Sequence, residues 1–176
     1  MSVAPDLLHR DEVDSEHLRC TGDVDRTAVA VLKSRHRLGG AHAALTVATD
    51  LADEGHGTVA DLTAHGRAQI TPRLSLDYGV NGRWINDEHA RTFFGLDAQQ
   101  SARSGLPAHV AEAGISELRA FVQGTYAINQ QWIVSAGASV ARLQGDAADS
   151  PIVKRFGSEN QIGVGLTASY SFDSGM

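Results

Sequence analysis

From Arg26 onward, apolar and polar residues alternate with a period of two through segments of about 10–13 residues, the length of a tilted strand that crosses a bilayer. The clearest segment runs from Gln161 to Phe172. There Ile162, Val164, Leu166, Ala168, Tyr170 and Phe172 alternate with Gln161, Gly163, Gly165, Thr167, Ser169 and Ser171. Arg73 to Trp84 repeats the design, with Leu74, Leu76, Tyr78, Val80 and Trp84 opposite Arg73, Ser75, Asp77, Asn81 and Arg83. Thr58 to Ile70, Glu117 to Ile128 and Gln131 to Leu143 follow the same rule, and Thr27 to Arg37 and Ala41 to Leu51 are two further candidates. The pattern predicts an all-β chain of about seven antiparallel strands.

The connections alternate in length as well. Leu38-Gly39-Gly40, Thr71-Pro72 and Asn129-Gln130 read as tight turns, whereas residues 52–57, 85–114 and 144–157 are longer. Short turns at one end and long loops at the other are the arrangement of an up-and-down outer-membrane barrel, with the tight turns on the periplasmic side. The long connection 85–114 is expected to hold helical turns around Asp87 to Phe94 and Ala98 to Arg103. Phe93 and Phe94 would then cap the mouth or pack against lipid, with a ligand stack the lesser reading. Tyr126, Trp132 and Phe172 fall near the tight-turn end and Trp84 near the long-loop end, as aromatic girdles require.

Alternation also suits a soluble barrel of the lipocalin type, so the polarity of the two faces decides. A soluble barrel has an apolar lumen and a polar exterior. Here the face carrying bulky apolar residues excludes charge, while the other carries Asp61, Arg67, Asp77, Arg83, Glu117 and Arg119. That is the polarity of a barrel in lipid.

Composition narrows the function classes. A net charge of −6 and the lack of a basic run argue against nucleic acid, which needs a basic face. The single cysteine, Cys20, excludes an intramolecular disulfide and cysteine-based metal clusters. No apolar run is long enough for a transmembrane helix. The N-terminus lacks the charged and apolar regions of a secretion signal. Residues 1–25 are dense in charge and read as a polar loop or ragged edge; residues 26–176 carry the barrel pattern.

Eight histidines invite a metal or catalytic reading, yet none has a second ligand at usable spacing, and no cofactor motif is present. His65 and Asp61 share a strand face, which is also how polar residues fill a lumen. Ser150 beside Asp149, with His109 on another loop, sketches a hydrolase, but Asp-Ser-Pro more naturally forms a turn. The acidic stretch from Asp6 to Asp25 lacks the spacing of a Ca²⁺ loop. The expectation is a protein without catalytic, cofactor or metal residues. The loop holding Asp146, Asp149, Ser150 and Pro151 is the first candidate for contact with a partner or for folding into the lumen.

Several segments resemble the MipA/OmpV family of MltA-interacting proteins. They are Gly55-His56-Gly57 followed by Ala60-Asp61-Leu62, Phe93-Phe94-Gly95-Leu96, and Ser104-Gly105-Leu106-Pro107-Ala108 leading through Ala113-Gly114 into a strand. The most specific is Arg142-Leu143-Gln144-Gly145-Asp146-Ala147-Ala148-Asp149-Ser150-Pro151-Ile152-Val153. Upstream, His9-Arg10-Asp11-Glu12 and the stretch from Leu18 to Asp25 are similar to the family's charged loop, with Cys20 where a glycine is more usual.

The resemblance implies an outer-membrane barrel seated in lipid. It also implies a scaffold that links a murein lytic transglycosylase to a penicillin-binding protein, a role to which one member is assigned. Other members are described as porin-like conduits or surface adhesins. Family members are longer, with a signal peptide and more strands. An odd set of about seven strands does not close an up-and-down barrel. The chain is therefore expected to be an N-terminally truncated, incomplete barrel, about seven strands of a larger one, and a non-functional gene fragment is a further alternative. The family tends to end on an aromatic equivalent to Phe172, whereas Asp173-Ser174-Gly175-Met176 follow here.

Overall fold

The computed structural model describes residues 29–51 and 56–172 of the 176-residue chain. The charged stretch 1–25 lies outside the described residues. Seven strands follow in chain order: β1 (Val29–Leu38), β2 (Ala41–Asp50), β3 (Thr58–Thr71), β4 (Leu74–Ile85), β5 (Gly114–Ala127), β6 (Trp132–Leu143) and β7 (Asn160–Tyr170). Each pairs antiparallel with the next, giving one open up-and-down sheet in the order β1-β2-β3-β4-β5-β6-β7. The period-two segments predicted this strand by strand, with ends shifted by a residue or a few.

Local chemistry fixes the turns. Gly39 adopts φ 63° between β1 and β2, a conformation that side chains with a Cβ rarely take. The Thr71 hydroxyl accepts from the amides of Arg73 and Leu74 at 3.3 and 3.0 Å, closing the β3–β4 turn. Asn129 Oδ1 does the same for β5–β6, accepting from Gln131 and Trp132 at 2.9 and 2.8 Å.

Strand register sorts the side chains into rows. One row on the polar face runs Lys33, Thr46, Asp61, Arg83, Glu117 and Leu143. The next runs Arg35, Ala44, Thr63, Asn81, Arg119, Ala141 and Gln161. On the other face Leu62, Gly82, Leu118 and Arg142 share a row, and Ala64, Val80, Ala120, Val140 and Ile162 the following one. The apolar face is the outward one: Leu118 is 49% exposed and Val140 56%, against 8% for Glu117 and 6% for Ala141 on the polar face. Apart from Arg142 at the end of β6, the charged strand residues in these rows thus share one face and the bulky hydrocarbon the other, outward one, the reverse of a water-soluble barrel.

Aromatic residues mark the edges of this apolar band. Trp132, Tyr170 and Phe172 pack together at the tight-turn end, with ring centroids 5.0 and 4.6 Å apart, and Trp84 stands at the other end of β4. At about 3.3 Å per residue and a tilt near 40°, the span from Leu74 to Trp84 rises roughly 25 Å, the height of an outer-membrane barrel's apolar band.

Between β4 and β5 lie helices α1 (Asp87–Phe94) and α2 (Ala98–Ser104), as the sequence suggested. Between β6 and β7 lie two more, α3 (Gly145–Asp149) and α4 (Pro151–Phe156), in a segment read from sequence as a turn. Pro151 supplies a fixed φ to the first turn of α4, where its missing N–H costs nothing.

The polarity of the sheet yields a direct test. Val164 is 85% exposed on the outward face of β7, and Gly165 points to the other side with open space where a Cβ would stand. In lipid vesicles, Val164→Arg should lower unfolding stability by about 2–4 kcal/mol and Gly165→Arg by less than about 1 kcal/mol. Equal losses in urea titrations would refute the assignment of faces.

Candidate functional site

The buried core of this protein is small and lies at the long-loop end. Ile85, Ala90 and Ala111 are nearly inaccessible, and Val59 and Phe94 pack against them. Val59 and Ile85 are direct partners in the β3–β4 ladder, two residues beyond the Asp61–Arg83 pair, and so project to the polar face. The helices that cover them are therefore folded over the polar face of the sheet, at its long-loop end.

Each loop is tied to this cap by backbone and side-chain bonds. Asn86 Oδ1 accepts from His89 N at 3.0 Å, capping α1, and from Thr58 N at 2.9 Å, fastening the helix to the start of β3. The side chain of Asp87 accepts from Ala113 N at 2.6 Å. Asp97 and Gln100 form a reciprocal capping box on α2. Leu96 and His109 exchange backbone bonds as an isolated bridge, closing the loop between α1 and β5.

The predicted contact loop is part of the same cap. Asp146 accepts from Glu112 N at 2.9 Å, and its own carbonyl accepts from His109 Nε2 at 3.0 Å, so the 86–113 and 144–159 loops are stitched together. Ser150 is fully buried, and its hydroxyl donates to the Phe94 carbonyl at 2.8 Å. Asp149 remains at the surface, held by Lys154 Nζ at 2.8 Å, and this hydrogen bond keeps its carboxyl below the usual range. Pro151 opens α4 beside it. The structure therefore brings Asp146 and Ser150 into the cap and leaves Asp149 outside. In the imagined hydrolase, the Ser150 proton is committed to a carbonyl and His109 to Asp146.

A second cluster escaped the sequence. His56 and His89, 33 residues apart, are both buried; His89 Nδ1 donates to the His56 carbonyl at 2.6 Å and its ring stacks on Phe93 at 4.3 Å. Phe93 thus packs among the histidines of the cap. Gly57, at φ 61°, lets the backbone pass against Asn86 and His89, where a Cβ would collide with both. Among the described residues, no group of three or more His, Cys, Asp or Glu side chains is placed to hold a metal ion.

The polar face below the cap is laced by ion pairs, two between register partners of β3 and β4 and one along β5. Arg83 grips Asp61 through two bonds of 3.0 and 3.2 Å, Arg119 grips Glu117 at 3.0 and 3.1 Å, and Arg67 grips Asp77 at 2.7 and 2.9 Å. Such two-pronged bonds fix both partners and are stronger than single ones. His42 and His65 stack at 5.2 Å one row below Arg119, so His65 faces another histidine rather than Asp61.

The comparisons with known proteins agree with this architecture. A family profile described as MltA-interacting protein MipA matches residues 2–172. The chain belongs to the MipA family. It is 26% identical over 132 residues to "Putative outer membrane protein YiaT" of Escherichia coli (strain K12), an overlap of 74% of this chain and 52% of that protein. It is 25% identical over 143 residues to MltA-interacting protein of the same organism, covering 78% of this chain and 55% of the relative, and equally to that of Shigella flexneri. The chain spans about half the length of the curated relatives it matches. With its inverted polarity and aromatic borders, this MipA-family chain is an outer-membrane protein.

Two predictions concern the cap. Burial pushes His89 below its ordinary value; nearby Arg83 and His56 push the same way, and the bond to the His56 carbonyl opposes them. The stability contributed by the neutral ring is fully present above the unfolded value near 6.5 and is lost as pH falls from there through the folded value. Hydrogen exchange of α1, corrected for intrinsic rates, should rise below about pH 6.5, and His89→Asn should remove that dependence. Separately, Ser150→Ala leaves the Phe94 carbonyl unsatisfied and should cost the cap about 1–3 kcal/mol. Limited proteolysis should then cut residues 86–113 faster while the strands stay protected.

Proposed function

We propose that this MipA-family protein is a non-catalytic outer-membrane scaffold that holds a murein lytic transglycosylase, and with it a penicillin-binding protein, at the inner surface of the membrane. The observation that supports the partner is the kinship with proteins whose name states an interaction with MltA. The fold suits the role. The helical cap takes up the long-loop end, leaving the turn end, with Gly39-Gly40, Pro72-Arg73 and Asn129–Gln131, as a firm and exposed platform on the periplasmic side. In lipid each edge of the sheet, β1 and β7, requires a pairing strand, so the scaffold works as part of a closed barrel.

The loop containing Asp146, Asp149, Ser150 and Pro151 acts, in this proposal, by folding over the lumen mouth. Asp149 is the member left for contact with a partner at the outer surface.

A porin-like conduit is the second reading, and the continuous polar rows of the inward face favour it. Binding of the folded full chain in detergent to purified lytic transglycosylase and penicillin-binding protein separates the two. The scaffold should form a complex that Arg73→Glu weakens by about tenfold, equivalent to 1.4 kcal/mol, and that Lys154→Glu on the cap leaves unchanged. No complex with either enzyme would sink the scaffold.

A further inference from the structure

The inward face of β1 carries Lys33, Arg35 and Arg37 at alternating positions, while its outward positions are Ala30, Leu32, Ser34 and His36. Register gives each cation its row. Lys33 lies beside Thr46, Arg35 beside Ala44, and Arg37 beside His42, with Asp61, Thr63 and His65 one strand further. All three cations are exposed, and among the described residues none meets a carboxylate; Arg37 Nε donates only to the Gly39 carbonyl at 3.3 Å. Asp61, in Lys33's own row, is two strand spacings away, about 10 Å, and is already held by Arg83.

The other lumen-face charges in these rows and the one below cancel. Asp61, Asp77 and Glu117 are each matched by Arg83, Arg67 and Arg119. Among the described residues of these rows, the β1 stripe is thus the part without a paired carboxylate, and it stands in a chain whose net charge is −6. Charges on an edge strand also discourage unwanted pairing. Here every cation is on the lumen side, and the outward positions hold no Lys, Arg, Asp or Glu.

We infer that the β1 stripe, extended by the His42–His65 pair, is an anion-binding surface of the lumen that takes small solutes bearing phosphate or carboxylate groups. Its position along the strand leads from the ion-paired rows under the cap toward the turn end. Three like charges at alternate positions add up to a local positive potential that concentrates anions there. As a path for solutes this rests on the conduit reading; as a binding surface it does not.

The test uses the folded full chain in planar bilayers across a KCl gradient. The reversal potential should show chloride preference, shift to potassium preference in K33E/R35E/R37E, and stay put in the conservative K33R/R35K/R37K. Arg35→Gln alone, an exposed substitution that keeps the strand, should give a smaller shift of the same sign. Conductance without chloride preference, or a potential unmoved by charge reversal, overturns the inference and leaves the conduit intact. If no conductance is seen, the conduit reading fails and equilibrium binding decides. The trisulfonated dye pyranine should bind the protein in zwitterionic micelles, weaken with added salt, and lose that binding in K33Q/R35Q/R37Q. Absent or equal binding in both proteins overturns the inference.

Discussion

Hydrocarbon offers no hydrogen bonds to a peptide backbone, and that constraint governs this structure. Among the described residues no helix is long and apolar enough to cross, so in lipid the amides are satisfied between neighbouring strands. Seven strands pairing in strict succession do this with the shortest possible connections at one end. The same solvent demands that bulky apolar side chains face outward, where Ile162, Val164 and Leu166 stand almost fully exposed on β7. A conventional core is then not available. What apolar packing there is gathers around Ile85, Ala90 and Ala111, where the loops leave the bilayer.

Specificity inside the sheet comes from charge and from turn geometry. An outward face of alternating Leu, Val and Ala tolerates slippage by two residues. The paired rows do not: such a slip would separate Asp61 from Arg83 and Arg67 from Asp77 together. Their value lies in register more than in net stability, because Arg67 and Arg83 remain partly solvated and solvated ion pairs contribute little. Deeper under the cap, the Glu117 side chain is only 10% exposed, and loss of Arg119 would leave a carboxylate poorly hydrated.

The cap converts two loops into one body. Its bonds run between distant segments: Ser150 to Phe94, His109 to Asp146, His89 to His56 and Asn86 to Thr58. The helices are too short to hold themselves, so their order is borrowed from these links and from the lumen-side rows they cover. Because the links converge at the long-loop end, the cap covers that end of the sheet's polar face and leaves the turn end uncovered.

Period-two alternation, the length of the segments and the chemistry of Gly39, Thr71 and Asn129 are local. The sequence therefore determined by itself the strand count, the identity of both faces, the tight-turn end and the two helices after β4. The motifs carried the family as well. Other features are relations between distant residues. Asp146-Ala147-Ala148-Asp149-Ser150-Pro151 looks like a turn until Phe94 and Glu112 arrive to accept and donate bonds, and only then are α3 and α4 worth forming. His56 and His89 meet because β3 and α1 do. No basic run is visible in the chain, since Lys33, Arg35 and Arg37 are interrupted by Ser34 and His36. The pleat places those cations on one face, and the pairing register sets them beside Thr46, Ala44 and His42 rather than beside carboxylates. The charge of the lumen was therefore decided by tertiary structure, because electrostatic compensation depends on which strands lie side by side.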